Sequence, residues 1–213
     1  VGTNKVCSVA GSFTSTVKYT AHGQADWKKG LPISFFALFG ALLGSHSIGK
    51  LPEHLVEPVV MILLVAVTLF VLLQPSFGMK EARQFQKHRI KTPLRYGALC
   101  GFGFVIGFHD GFFGPGTGTF LLFVLISLGS LDFLKATGTA KIINFLTNIA
   151  ALTIFILAKK VDYEKGIVGA CGVGIGAFLG THLAVKKGSR LVRPIFIAVA
   201  LLIVVKIAVT FFR

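Results

Sequence analysis

Acidic residues are scarce in this chain. Of 213 residues, 8 are Asp or Glu against 22 Lys or Arg, and charged residues of both signs make up 14%. A soluble domain of this length carries far more charged surface, so the scarcity excludes an ordinary water-soluble globular protein. Cysteine is sparse as well: Cys7, Cys100 and Cys171 sit in apolar segments without paired ligand spacing. That excludes a disulfide framework or a thiolate metal cluster, and the three read as small buried hydrophobes. The histidines His22, His46, His54, His88, His109 and His182 lack the spacing of a zinc site. Neither a metal nor any other cofactor is expected.

What fills the chain instead is apolar: 54% of residues are hydrophobic and the mean hydropathy is +0.78. No charged residue falls within Gly30 to Ser45, Pro58 to Met79, Gly111 to Leu131, Ile142 to Ala158 or Gly166 to Val185. Such blocks match the roughly 20 residues that a helix needs to cross about 30 Å of hydrocarbon. The net charge of +14 would suggest nucleic acid in a soluble protein. Here the basic residues gather between the apolar blocks, in Lys18 with Lys28 and Lys29, in Lys80 to Arg95, in Lys159, Lys160 and Lys165, and in Lys186 to Arg193. Positive loops and anionic headgroups account for that pattern, and a nucleic-acid partner is rejected in favour of the lipid bilayer.

Sliding the sequence along itself by 136 residues gives an ungapped internal match. Gly2, Thr3 and Lys5 fall on Gly138, Thr139 and Lys141, and Asp26, Lys29 and Gly30 on Asp162, Lys165 and Gly166. Gly40, Gly44 and His46 fall on Gly176, Gly180 and His182, and Lys50 and Pro58 on Lys186 and Pro194. This is an internal repeat. It divides the chain into a first half, 1–74, a basic linker, 75–94, and a second half, 95–213. The Gly-rich stretch Leu94 to Ala136 has no counterpart in the first half, so about forty residues are expected ahead of Val1 by analogy with the second half.

The expected fold is an all-α polytopic membrane protein of about eight helical segments in two repeat-related halves. Helices are expected near 2–20, 31–48, 56–74, 95–109, 117–131, 138–158, 166–185 and 193–212. Pro58 and Pro194 suit first-turn positions, and Asp26 and Asp162 suit N-caps beside the interfacial aromatics Trp27 and Tyr163. The segments flanking residues 107–119 look too short to span singly, and the Gly and Pro density there predicts a broken helix whose backbone is satisfied by protein or a wet cavity. The loop from Lys80 to Arg95 should be cytoplasmic. Whether the repeats are inverted or parallel is left open.

Discontinuous helices offer free N–H groups and a favourable dipole to anions near the bilayer midplane, and Gly116, Thr117, Gly118 and Thr119 open such a helix. Tight packing through small residues is the structural alternative. Asp110 stands alone among the acidic residues in lying inside an apolar stretch. A carboxylate there costs at least about 2.5 kcal/mol unless partnered, so it either caps the second half-helix or takes up a proton in a coupling cycle. Lys5 and Lys141 are repeat-related and lie one turn into apolar segments, with polar neighbours Asn4, Asn144, Thr147 and Asn148. Snorkelling is the alternative for such lysines. Two amines converging from the two halves would make an anion site of Asn4, Lys5, Lys141 and Asn144 with Gly116 to Thr119. Lys206 reads as snorkelling, and His46 and His182 as structural groups at helix C-termini.

These residues resemble the sulfite exporter TauE/SafE family of bacterial membrane permeases. The resemblance is carried by Gly2-Thr3-Asn4-Lys5 with Asp26-Trp27, by Gly107 to Thr119 around Asp110-Gly111-Phe112-Phe113-Gly114-Pro115-Gly116, and by Gly138-Thr139-Ala140-Lys141 with Asn144. It implies two related halves, a multi-pass protein of the bacterial inner membrane, and movement of sulfite, a sulfonate or a related organosulfur anion. A homo-oligomer is compatible with it. The opposing readings are a membrane enzyme using His109 and Asp110 as acid and base, which lacks a spaced nucleophile or metal set, and a scaffold, which leaves Asp110 and the paired lysines without a purpose.

Overall fold

A computed structural model describes residues 1–50 and 92–188. The segments expected at 56–74 and 193–212, together with Pro58, Pro194, Lys206 and most of the basic linker, lie outside the described residues. Among the described residues six helices follow one another: α1 (Gly2–Ala21), α2 (Trp27–Lys50), α3 (Thr92–Phe112), α4 (Thr117–Ser127), α5 (Phe133–Leu157) and α6 (Tyr163–Lys187). Among the described residues there is no strand. By length and composition α2, α5 and α6 are each able to cross a membrane.

The caps explain where helices begin. Asp26 Oδ1 accepts from Lys29 N at 3.1 Å and Asp162 Oδ1 from Lys165 N at 3.1 Å, as their repeat-matched positions suggested. Asp132 does the same for Lys135 N at 3.0 Å, so α5 starts at Phe133 rather than near 138. Two cations close the other end of α4. Lys29 Nζ donates to Gly129 O at 2.8 Å, and Arg95 Nε donates to Leu128 O at 3.1 Å. Both satisfy carbonyls that the helix end leaves open, where its dipole is negative.

The helix expected near 95–109 instead runs unbroken to Phe112, through the first part of the Gly-rich stretch 107–119, and the interruption is confined to 113–116. Its glycines are packing surfaces. A Cβ on Gly107 would lie 2.0 Å from Ala37 O, and one on Gly111 2.1 Å from Ala41 O. The fit is mutual, because a Cβ on Gly40 or Gly44 would lie 2.1 Å from Phe104 O or Phe108 O. Small residues therefore bring α2 and α3 into backbone contact, as membrane helices do where no hydrophobic drive favours one neighbour over lipid.

The core gathers around α4, where Leu121, Leu125 and Ile126 are fully buried against Ile33, Ala37 and Ile143. Helix α1 packs on α5 and α6, and α2 on α3 and α5. Large apolar side chains point outward: Phe35 and Phe39 on α2, Val105 on α3, and Val168, Ile175 and Phe178 on α6 are exposed. In a membrane these faces meet acyl chains. The cysteines are less enclosed than expected, with Cys7 and Cys100 half-buried and Cys171 exposed on the outward-facing α6.

Candidate anion site between the helices

A cavity of about 700 Å³ lies between α1, the 113–116 turn, α5 and α6. Asn4, Lys5, Asp110, Thr117, Gly118, Lys141 and Asn144 all line it, whereas Gly116 and Thr119 do not. Seven of the nine residues singled out from the sequence thus share one space.

Lys5 is 2% exposed and its ammonium spends all three of its donors inside the protein. It donates to Asp110 O at 2.5 Å, to Asp110 Oδ1 at 3.1 Å and to Asn148 Oδ1 at 2.9 Å. The other carboxylate oxygen, Asp110 Oδ2, accepts from Thr147 Oγ1 at 2.5 Å. Capping of the second half-helix by Asp110 is therefore overturned: its oxygens turn to α1 and α5, and the N-cap of α4 is Gly116, with φ 85°. Snorkelling of Lys5 is likewise ruled out by its burial and its three partners.

The turn between α3 and α4 is shaped by this pair. Gly114 has φ 95°, a region open to glycine, and a Cβ there would lie 3.3 Å from Lys5 Nζ. Gly114 N donates back to His109 O at 3.1 Å, and Gly114 O accepts from Thr117 N and from Thr117 Oγ1. His109 Nδ1 lies 3.4 Å from Thr117 Oγ1, with the ring edge-on to Phe113 and Phe120. Thr117 is thus tied into the turn, while the N–H of Gly118, the second residue of α4, has no partner among the described residues.

Lys141 differs from its repeat-matched counterpart. It is half-buried, lines the cavity, and makes no hydrogen bond or ion pair among the described residues. One turn along α5, Asn144 Oδ1 is buried and unpartnered, and a Cβ on Gly118 would stand 3.6 Å from Asn144 Nδ2. An unspent ammonium and the open N-terminus of a helix therefore face one cavity, beside the unpartnered acceptor Asn144 Oδ1. The ammonium and the free N–H attract a small oxyanion, because each gains charge-assisted bonds that the protein does not itself supply.

Sequence reasoning passed over Ser8, Ser12 and Ser15, which line the cavity with Lys5 on one face of α1. Their spacing from Lys5, at i+3, i+7 and i+10, is the helical periodicity that would have found them. Thr181 of α6, which donates to Ser15 Oγ at 3.1 Å, carries no such signal because it falls in an apolar block.

Helices able to span a bilayer, enclosing a polar cavity with a buried ion pair and an unpaired cation, define an integral membrane protein of transporter type. The chain belongs to the TauE/SafE sulfite exporter family, whose model matches residues 1–207. It is 30% identical over 207 residues to a probable membrane transporter protein, ORF9, of a Sinorhizobium species, covering 97% of this chain and 77% of the relative. It is 30% identical over 203 residues to the probable membrane transporter protein YfcA of Escherichia coli K12, covering 94% and 72%. A probable membrane transporter protein of Haemophilus influenzae is 27% identical over 206 residues, covering 97% and 78%. No solved structure matches the chain.

Proposed function

We propose that this protein is a multi-pass secondary transporter of the bacterial inner membrane that carries a small anion, namely sulfite, a sulfonate or a related organosulfur compound. The observation that carries the reading is Lys141, a cation lining the cavity without an acceptor among the described residues. A desolvated ammonium left without a counter-charge is costly, and an entering anion removes that cost. Asn144, Asn4 and the start of α4 at Thr117 and Gly118 supply further polar groups around the anion. Lys5 and Asp110 are the second cation and the proton-carrying carboxylate of the same site. The two halves, 1–74 and 95–213, are read as repeat-related and joined by the basic linker 75–94, with the cavity between them.

Equilibrium binding of sulfite and of methanesulfonate to the full-length protein in detergent tests this. Lys141→Met is expected to weaken both by about tenfold or more, the loss of about 1.4 kcal/mol or more that one charge-assisted contact supplies. Lys187→Met, at the exposed end of α6, leaves binding unchanged. Equal affinity in Lys141→Met and wild type removes that lysine from the site.

A further inference from the structure

The geometry points to an anion site that opens only with a proton. The protein binds its anion together with one proton, which neutralises Asp110 and frees the Lys5 ammonium to join Lys141 on the anion. The inference rests on the anion site proposed around Lys141 and adds to it a stoichiometry of one proton per anion and the condition under which Lys5 becomes a ligand.

Three observations carry it. Lys5 lines the cavity, yet its three N–H groups are all engaged, two by Asp110 and one by Asn148, so none is left for a solute. Its charge is cancelled at 3.1 Å by a carboxylate that is itself 3% exposed. That carboxylate lines the same cavity as Lys5 and Lys141. With the pair closed, the site holds one uncancelled cation, Lys141. Adding a proton to Asp110 leaves two.

An anion beside Lys5 competes with Asp110 for the ammonium, and a carboxylate that loses its cation in a buried site is the group that takes up a proton. The step balances simply. One proton adds to a carboxylate oxygen of Asp110, Lys5 keeps its three protons and its charge, and the anion replaces the carboxylate as counter-ion. By linkage the effect is reciprocal: the proton raises affinity for the anion by the factor with which the anion raises affinity for the proton.

The charged and titratable groups around Asp110 are few. Lys5 comes from α1, His109 is its neighbour on α3, and Lys141 comes from α5, while α4 and α6 present Thr117 and Thr181 and no titratable group to the cavity. Tyr19 lies on the same cavity wall, on the last turn of α1. His109, whose Nδ1 is turned to Thr117, is the control because imidazole titrates in the range of interest.

Calorimetric binding of methanesulfonate, which does not itself titrate near neutrality, to the full-length protein in two buffers of different ionisation enthalpy gives the protons taken up per anion. Wild type and His109→Gln are expected to take up about one proton, with affinity rising about tenfold for each unit fall in pH. Asp110→Asn is expected to bind the anion with no uptake and no pH slope. If that variant does not fold, the charge-neutral pair Lys5→Gln with Asp110→Asn replaces it, with weaker binding and again no uptake. Wild-type binding without proton uptake overturns the proposal and leaves the anion site standing, as does uptake that persists in Asp110→Asn or disappears in His109→Gln. Absence of binding in wild type overturns both.

Discussion

The ion pair between Lys5 and Asp110 sets the clearest energetic test. At 3.1 Å and an effective dielectric near 20, the attraction is about 5 kcal/mol, and it offsets the cost of desolvating both groups. Lys5→Met strands the carboxylate with Thr147 as its remaining side-chain partner. Removing one member of such a pair costs roughly 3–5 kcal/mol, limited by the freedom of the carboxyl to take a proton. Asp110→Leu leaves the ammonium with the carbonyl oxygen of residue 110 and Asn148 but no counter-charge, and costs a similar amount. In the double variant no buried charge remains, and stability returns to within about 2 kcal/mol of wild type, the residue being the hydrogen bonds lost by Thr147 and Asn148. Reversible unfolding of all four proteins in mixed detergent closes the cycle, with an expected coupling of roughly 3 kcal/mol or more. A double variant as unstable as the sum of the singles refutes the pairing.

Packing and capping give two further predictions. Gly107→Ala drives a Cβ into Ala37 O and is expected to destabilise by about 1–3 kcal/mol, whereas Gly101→Ala, with open space around it, is neutral or stabilising by up to about 1 kcal/mol in the same unfolding assay. The side-chain and backbone hydrogen bonds from Lys165 hold the Asp162 carboxyl below its usual range. Its contribution is therefore complete above the unfolded value, about pH 4, and fades as pH falls through the lower folded value. Asp162→Asn keeps a capping oxygen without the titration, so unfolding measured against pH should show a shallower acid slope than wild type; an unchanged slope removes Asp162 from the acid response.

Most helices were legible from apolar block length, and the Asp caps of α2 and α6 from their repeat-matched positions. The start of α5 was misjudged because Asp132 has no repeat-matched counterpart within the chain to draw attention to it, although its offset from Lys135 is the one seen at Asp26 and Lys29. The broken helix was placed too early for a physical reason. Glycine at residues 103, 107 and 111 signals either an unwound backbone or a closely approached one, and composition does not separate the two. Only the position of α2 resolves them. The convergence of Lys5, Lys141, Asp110 and Asn144 on one cavity followed from reading intramembrane polar residues as inward-facing. The different states of the two lysines were not legible, since one follows Gly-Thr-Asn and the other Gly-Thr-Ala in similar apolar surroundings. Which of them meets Asp110 depends on how α1 and α5 pack against α3.

Flux through the full-length protein in proteoliposomes tests the central claim most directly, with labelled sulfite in wild type and Lys141→Ala and with the amount of inserted protein measured in each. The account predicts saturable flux in wild type and its loss in Lys141→Ala at equal insertion. Flux at the wild-type rate in Lys141→Ala, or none in wild type with sulfite and simple sulfonates alike, contradicts it.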